Sequence, residues 1–306
     1  MKHFLSLLDI DREIFFRILE TAKKFKNDPW EVPQVLTKKT FGLLFEKPST
    51  RTRISFEVGV VQLGGYPVVL NSNELQLSRG ESLRDSAHVF SRFLDGLLIR
   101  TFAHQNLEQL AKYSSIPIIN GLSDLYHPCQ ALADFLTIAE QNLDFEKTHL
   151  VFLGDGNNNV THSLILASGL AKTKITVLCP KEMSPAKKVL GQARSLQTDI
   201  QIIHDIKSLE AKLALQEADI LYTDVWVSMG QEKEKENKIN LLKPYQVNNQ
   251  ILNQCKASVK IMHCLPAHIG EEITEEVLYS NSSIVFDQAE NRLHAQKALL
   301  AEIYKH

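Results

Sequence analysis

The chain has 306 residues, a formal net charge of -2 and 44% apolar residues. That length suits about two domains of ~150 residues each, and each is long enough to bury a core. The near-zero charge excludes a global basic field for nucleic acid, and no apolar run reaches the ~18 residues of a membrane span.

Four cysteines, Cys129, Cys179, Cys255 and Cys264, are scattered without zinc-ligand spacing. Unpatterned cysteines suit a reducing, cytoplasmic setting. The first residues carry too short an apolar run for a secretory signal, and Asp9 and Asp11 end it.

In chain order, Ile14, Phe15, Ile18, Leu19 and Ala22 predict a helix over 9–25, capped by Asp9 or Asp11. The short apolar run 41–45 reads as a buried strand. A helix over 54–63 ends at Gly64-Gly65. Strands are predicted at 67–70, 96–100 and 116–120, with helices at 82–93 and 107–113 between them. A long helix opens at His127-Pro128 and breaks near Asn142. A second alternation follows: strand 148–155, helix 163–172, strand 174–178, helix 185–196, and strands at 200–204, 220–222 and 260–263. The last helix runs over 291–304. The alternating-sign run 230–238 reads as a charged loop, solvated or lying over a site. Strand–helix alternation implies parallel sheets. The fold class is therefore α/β: two successive parallel-sheet α/β domains, with the active site expected in the cleft between them.

The polar clusters fall at strand ends, where open parallel sheets bind ligands. Ser49-Thr50-Arg51-Thr52-Arg53 follows the first strand and meets a helix start. Unpaired N–H groups and the helix dipole favour an anion there, and guanidinium forks match phosphate oxygens. A Ser/Thr cap with surface arginines fits the same residues. Arg100 ends a strand. His127 and Gln130 lie within one helical turn, the histidine placed to donate to a carbonyl oxygen. Gly154-Asp155-Gly156-Asn157-Asn158-Asn159 lacks the G-x-G-x-x-G spacing, which argues against a dinucleotide and a nicotinamide-dependent dehydrogenase. Asp224 follows a strand, suits an ammonium group, and precedes Ser228-Met229-Gly230. Cys264 sits between His263 and Leu265-Pro266 and is a candidate perturbed thiol; too few ligands accompany it for a metal site.

Taken together and in this order, these motifs, with Glu290-Asn291-Arg292, resemble the aspartate/ornithine carbamoyltransferase family along nearly the whole chain. Ser228-Met229-Gly230 and His263-Cys264-Leu265-Pro266 are similar to its ornithine-specific members. The resemblance implies transfer of a carbamoyl group from carbamoyl phosphate to the δ-amine of L-ornithine, giving L-citrulline and phosphate, in arginine biosynthesis and without cofactor or metal. A related activity on putrescine or a modified ornithine is the alternative, and Asp224 with Ser228-Met229-Gly230 disfavours it because putrescine has no α-carboxylate. The implied carbamoyl-phosphate residues are Ser49, Thr50, Arg51, Thr52, Gln76, Arg100, His127, Gln130 and Arg292. The implied ornithine residues are Asn159, Asp224, Ser228, Met229, Cys264 and Leu265, with Asn158 competing for the role given to Asn159. Arg100, His127 and Cys264 are the implied catalytic groups. The implied domains are 1–140 for carbamoyl phosphate, completed by helix 291–306, and 141–290 for ornithine. A homotrimer is implied, with Gln76 reaching a neighbouring site and Arg79 standing where relatives carry lysine. Nucleic acid and membrane are not expected partners.

Overall fold

Parallel strand pairing organises the chain into two sheets. The computed structural model describes residues 2–29, 31–76, 80–227 and 235–305. The chain divides into one unit of Met1–Leu136 with Glu290–His306, and a second of Thr137–Ala289.

The first unit opens with α1 (Arg12–Asn27), whose first turn is capped by Asp11 through the Ile14 N–H at 2.8 Å. There follow β1 (Thr40–Phe45), α2 (Thr50–Gln62), β2 (Tyr66–Asn71), α3 (Leu83–Phe93), β3 (Gly96–Arg100), α4 (His104–Tyr113), β4 (Ile118–Leu122) and α5 (Pro128–Glu140). The sheet order is β2-β1-β3-β4, with every pair parallel. Leu44, Leu97, Ile99 and Ile118 fill one face together with Leu107 and Leu110 of α4. β4 begins two residues later than the apolar run 116–120 suggests. Pro117 has no N–H to give to a ladder; its carbonyl instead accepts from Leu97 N–H.

The second unit contains β5 (His149–Leu153), α6 (Asn159–Ala171), β6 (Lys174–Leu178), α7 (Lys187–Ser195), β7 (Ile200–Ile203), α8 (Leu209–Glu217), β8 (Ile220–Thr223), α9 (Lys235–Leu242), α10 (Asn249–Leu252), β9 (Lys260–His263) and α11 (Glu275–Leu278). Its sheet order is β7-β6-β5-β8-β9, again all parallel. All five residues of β5 are buried, as expected for a central strand covered on both faces. α6 starts at Asn159, ahead of the expected 163, because the Asn158 side chain caps it by accepting from Thr161 N–H at 2.8 Å. The charged run 230–238 is not all loop: from Lys235 it forms α9, and Lys238 pairs with the buried Asp155. Residues 228–234 lie outside the described part.

α12 (Val285–Ile303) starts six residues before the expected 291. Its later turns belong to the first unit. Arg17 pairs with Glu302 at 2.7 Å, and the Tyr304 hydroxyl donates to the Asp95 carbonyl at 2.7 Å. No described helix is long and apolar enough to cross a membrane.

The register of each sheet levels its strand ends. In the first, Phe45 pairs with Arg100, and Arg100 with Leu122. In the second, Leu153 pairs with Thr223, and Thr223 with His263. In both sheets the chain builds outward from a central strand and then returns to its other side. The reversal falls between β1 and β3 and between β5 and β8, the positions where open parallel sheets offer a crevice.

Gly96 shows how tightly the last helix is seated. A Cβ there would collide with the Tyr304 hydroxyl and come within 2.5 Å of the Phe41 ring. Gly96→Ala should therefore destabilise the protein by about 1–3 kcal/mol through overpacking. Urea unfolding measures this, and an unchanged midpoint would contradict the packing described.

Candidate functional site

In the first unit, Ser49 is the N-cap of α2, and its Oγ accepts from Thr52 N–H at 3.3 Å. The Ser49-to-Arg53 motif is thus a cap and the first helical turn itself, not a segment preceding a helix. Arg53 is spent on the surface, 3.5 Å from Glu57. Thr52 is buried and faces inward. Its Oγ1 accepts from Arg292 Nη2 at 3.0 Å, while Arg292 Nη1 donates to Gln130 Oε1 at 2.6 Å. Gln130 in turn donates to Asp134 at 2.8 Å. Three sequence-predicted residues from three helices therefore meet through one buried guanidinium.

His127 precedes α5 and is 4% exposed. Burial holds its pKa well below the usual histidine range, and the guanidiniums of Arg292, Arg100 and Arg51 push the same way. The imidazole is neutral near pH 7 and has one N–H to donate. Arg100 stands level with the end of β1, where the Arg100 carbonyl accepts from Glu46 N–H. Glu46 also accepts from the Thr101 hydroxyl and from Phe102 N–H at 3.0 Å. These bonds fix the turn that delivers Ser49. Lys47 lies 3.9 Å above the Phe102 ring, and its pKa is lowered, chiefly by burial and then by Arg100. Cys129 is inert by comparison: burial pushes its thiol up to about 12. Gln76 lies exposed beyond β2, its carbonyl accepting from Glu81 N–H; no described hydrogen bond joins it to this cluster. Arg79 lies outside the described residues.

In the second unit, the levelled ends of β5, β8 and β9 release Gly154, Asp224 and Cys264 side by side. Asp224 is 5% exposed. It accepts from Cys264 Sγ–H at 2.8 Å, Val225 N–H at 2.8 Å and Asn158 Nδ2 at 3.3 Å. Burial, the largest influence, raises its pKa against these bonds. Asn158 therefore does two jobs, capping α6 with its oxygen and holding Asp224 with its nitrogen. Asn159 is the first residue of α6 and half-buried. Ser228 and Met229 lie outside the described residues.

The Cys264 loop is set from behind. Leu265 N–H donates to His263 Nδ1 at 2.8 Å, which makes Nε2 the protonated ring nitrogen; Nε2 donates to Glu272 at 3.1 Å. His263 and Glu272 are both fully buried. Leu265 takes a left-handed φ of 54°, so its half-buried side chain is presented by an unusual backbone turn. Asp224, His263 and Cys264 offer metal-ligand atoms within 4.8 Å of one another. Both nitrogens of His263 are already committed, to Leu265 N–H and to Glu272, and Cys264 is bonded to Asp224.

Lys47, Ser55, Gln296 and Glu272 carry no motif, and sequence reasoning passes over them. The last helix does carry polar residues on several faces, but only the structure shows that Asn291, Arg292, Gln296 and Lys297 are buried.

Models of two domains match nearly the whole chain. The carbamoyl-P binding domain of aspartate/ornithine carbamoyltransferase matches residues 2–140, and the Asp/Orn binding domain matches residues 146–303. The chain belongs to the aspartate/ornithine carbamoyltransferase family. It is 49% identical to an ornithine carbamoyltransferase of Methanosphaera stadtmanae over 310 residues, covering 100% of both chains. It is 46% identical to that of Archaeoglobus fulgidus over 305 residues, covering 99% of this chain and 97% of the relative. Among solved structures, the ornithine carbamoyltransferase of Pyrococcus furiosus superposes with a TM-score of 0.92 at 44% identity, covering 99% of this chain and 97% of the other. The carbamoyl-P match falls on the first unit, with Arg51, Arg100 and His127; the Asp/Orn match covers the second unit, with Asp224, and runs on through the α12 residues, Arg292 among them, that belong to the first.

The neutral state of His127 is directly checkable. Nitrogen-15 NMR of labelled histidine should show the His127 ring unprotonated from pH 6 to 8. An imidazolium signature in that range would contradict the burial and charge environment described.

Proposed function

We propose that this chain transfers the carbamoyl group of carbamoyl phosphate to the δ-amine of L-ornithine, giving L-citrulline and phosphate. The observation that carries it is the gathering of Arg51, in the first turn of α2, with Arg100 and the buried Arg292 around the buried imidazole of His127, on the unit that holds the carbamoyl-P match. Relatives named ornithine carbamoyltransferase over the full chain support the acceptor.

In this reading Ser49, Thr50, Arg51 and Thr52 hold the phosphate, with first-turn amides and guanidinium sharing the oxygens. Arg100, His127, Gln130 and Arg292 surround the carbamoyl group. A neutral His127 donates its one N–H to the carbonyl oxygen and strengthens that bond as the oxygen becomes an oxyanion. Asp224 takes the α-ammonium of ornithine, and Asn159, Ser228 and Met229 take its α-carboxylate side. Cys264 and Leu265 adjoin the δ-amine.

The δ-ammonium first sheds a proton, and its lone pair then forms the new C–N bond on the carbamoyl carbon. The tetrahedral intermediate collapses by breaking the C–O bond to phosphate, which leaves with the electron pair. The nitrogen loses its remaining extra proton in that step, and Cys264 is the candidate acceptor. Its thiol proton here points at Asp224, so accepting a proton requires that hydrogen to be given up first.

The setting that fits this chemistry is arginine biosynthesis in the cytoplasm, in keeping with four free cysteines. A homotrimer with Gln76 serving a neighbouring site is supported by exposed apolar residues. Ile54, Val58 and Val61 share one face of α2, and Val89 and Phe93 one face of α3.

Product formation from carbamoyl phosphate with ornithine, aspartate, putrescine and N-acetylornithine in parallel tests the assignment. Citrulline from ornithine is expected, and its absence would refute it. Arg51→Ala should weaken carbamoyl-phosphate binding by about 2–5 kcal/mol while the fold persists, by analogy with truncating a buried charge contact; unchanged calorimetric affinity would refute the cradle.

Asp224 adds a pH dependence. A carboxylate with a raised pKa is charged only above that value, so ornithine affinity should fall as pH drops, starting above the range of an ordinary aspartate. The KM for ornithine should therefore climb more steeply toward acid in the wild type than in Asp224→Asn, which should bind weakly and keep only the dependence that comes from protonation of the δ-amine. Parallel profiles for both proteins would remove Asp224 from the ammonium site.

A further inference from the structure

Arg292 is held by more than Thr52 and Gln130. Its guanidinium lies between α2 and α12, where the helices run close enough that a Cβ on Gly59 would sit 3.3 Å from the Lys297 side chain. Four residues further along α12, on the same helical face, is Gln296, 1% exposed. With its carbonyl turned toward Arg292, Gln296 accepts from Nε at 2.9 Å and Nη2 at 3.0 Å, and its amide nitrogen meets Ser55 Oγ at 2.6 Å. The opposite amide orientation would aim an NH2 group at a guanidinium, donor against donor.

Ser55 decides which way that amide faces. Its hydroxyl lies 2.6 Å from the Arg51 carbonyl, one turn back on α2. By donating there, Ser55 turns a lone pair toward Gln296, which must then offer N–H and leave its oxygen for Arg292. The chain of bonds runs from the Arg51 backbone through Ser55 and Gln296 to Arg292, and on to Thr52 and Gln130. It closes a ring, because Arg51 and Thr52 are neighbours in the first turn of α2.

We propose that Gln296 and Ser55 are positioning residues for carbamoyl-phosphate binding: they lock the Arg292 guanidinium in register with the first turn of α2. This rests on the carbamoyl-phosphate reading of that turn. The three acceptors described for Arg292, on Thr52, Gln130 and Gln296, are neutral oxygens. These three fix the plane of the guanidinium without themselves adding negative charge beside it. A carboxylate in place of Gln296 would fix the plane equally well and cancel the charge.

That difference gives the test. Phosphate and carbamoyl phosphate are titrated calorimetrically into the full-length wild type, Gln296→Met, Gln296→Glu and Ser55→Ala, alongside thermal unfolding and steady-state KM and kcat. Gln296→Met removes two bonds to a charged group and should weaken carbamoyl-phosphate binding by about tenfold or more. Gln296→Glu keeps the two bonds to Arg292, with the Ser55 hydroxyl turning from the Arg51 carbonyl to donate to the carboxylate, and should still bind phosphate at least as poorly as Gln296→Met. Ser55→Ala should give a smaller loss. Its combination with Gln296→Met should cost no more than Gln296→Met alone, since both act on one lock.

Lower unfolding temperatures with unchanged phosphate affinity would reduce the pair to a structural role and overturn the proposal. So would wild-type affinity in Gln296→Glu, which remains informative even where Gln296→Met fails to fold. Wild-type protein that binds neither phosphate nor carbamoyl phosphate would refute the underlying reading instead, and the two failures are distinct.

Discussion

Parallel pairing with level strand ends is the constraint on which the rest depends. In a parallel sheet every strand delivers its C-terminal end to the same edge. A pairing register that is even along the ladder makes those ends flush. Phe45 against Arg100, and Leu153 against Thr223 against His263, are such flush ends. The residues that follow them must emerge together, whatever their separation in sequence. Asp224 and Cys264 are forty residues apart in the chain and bonded in space. A slip of one residue in β8 would exchange its two faces and carry Asp224 away from both Asn158 and Cys264. The hydrophobic run Ile220–Thr223, buried at every position, is therefore also what holds the carboxylate in place.

The second consequence is electrostatic. Collecting Arg51, Arg100 and Arg292 near one imidazole is unfavourable in a region with little water. The structure offsets this in three ways. The Arg292 guanidinium has hydrogen-bond acceptors, and those described are amide and hydroxyl oxygens. One carboxylate, Asp134, stands behind Gln130 and orients its amide. The imidazole responds by staying neutral. The outcome is a site whose donors are fixed before any anion arrives, the condition under which hydrogen bonds stabilise developing charge most effectively.

The sequence disclosed the parts of this arrangement that follow local rules. Strands appeared as short apolar runs, and α2 stops where expected because Gly64 takes a φ of 84°. The Ser49-to-Arg53 motif, Arg100, His127, Gln130 and Asp224 were visible because each follows a strand. Errors arose where one polar residue served two purposes. Asn158 reads as loop, but it caps α6 and so advances the helix to Asn159. Lys235 to Lys238 read as solvated charge, yet Lys238 neutralises Asp155 in the interior. The largest omission is on α12, where Gln296 and Lys297 are buried along with the expected Asn291 and Arg292. Polar residues on a helix normally mark its wet face. No local pattern distinguishes a wet face from one that meets polar residues of another helix. That distinction is tertiary, and Ser55 and Gln296 were invisible for this reason.

The two units also differ in how they answer to pH. Guanidiniums do not titrate in the physiological range, and a histidine held neutral well below its usual pKa does not either. The anion-binding unit is thus electrostatically constant around neutral pH. In the proposed reading the ammonium site of the second unit rests on Asp224, a buried carboxylate whose pKa is raised. Any pH sensitivity of substrate binding should therefore enter on the acceptor side, first through the charge on Asp224 and then through the proton on the incoming amine. Both act in one direction: acid neutralises the carboxylate that would hold the α-ammonium and protonates the δ-amine that must attack. An alkaline shift restores both until the α-ammonium itself begins to lose its proton. The donor side sets how tightly the carbamoyl group is held, and the acceptor side sets the pH at which it can be taken.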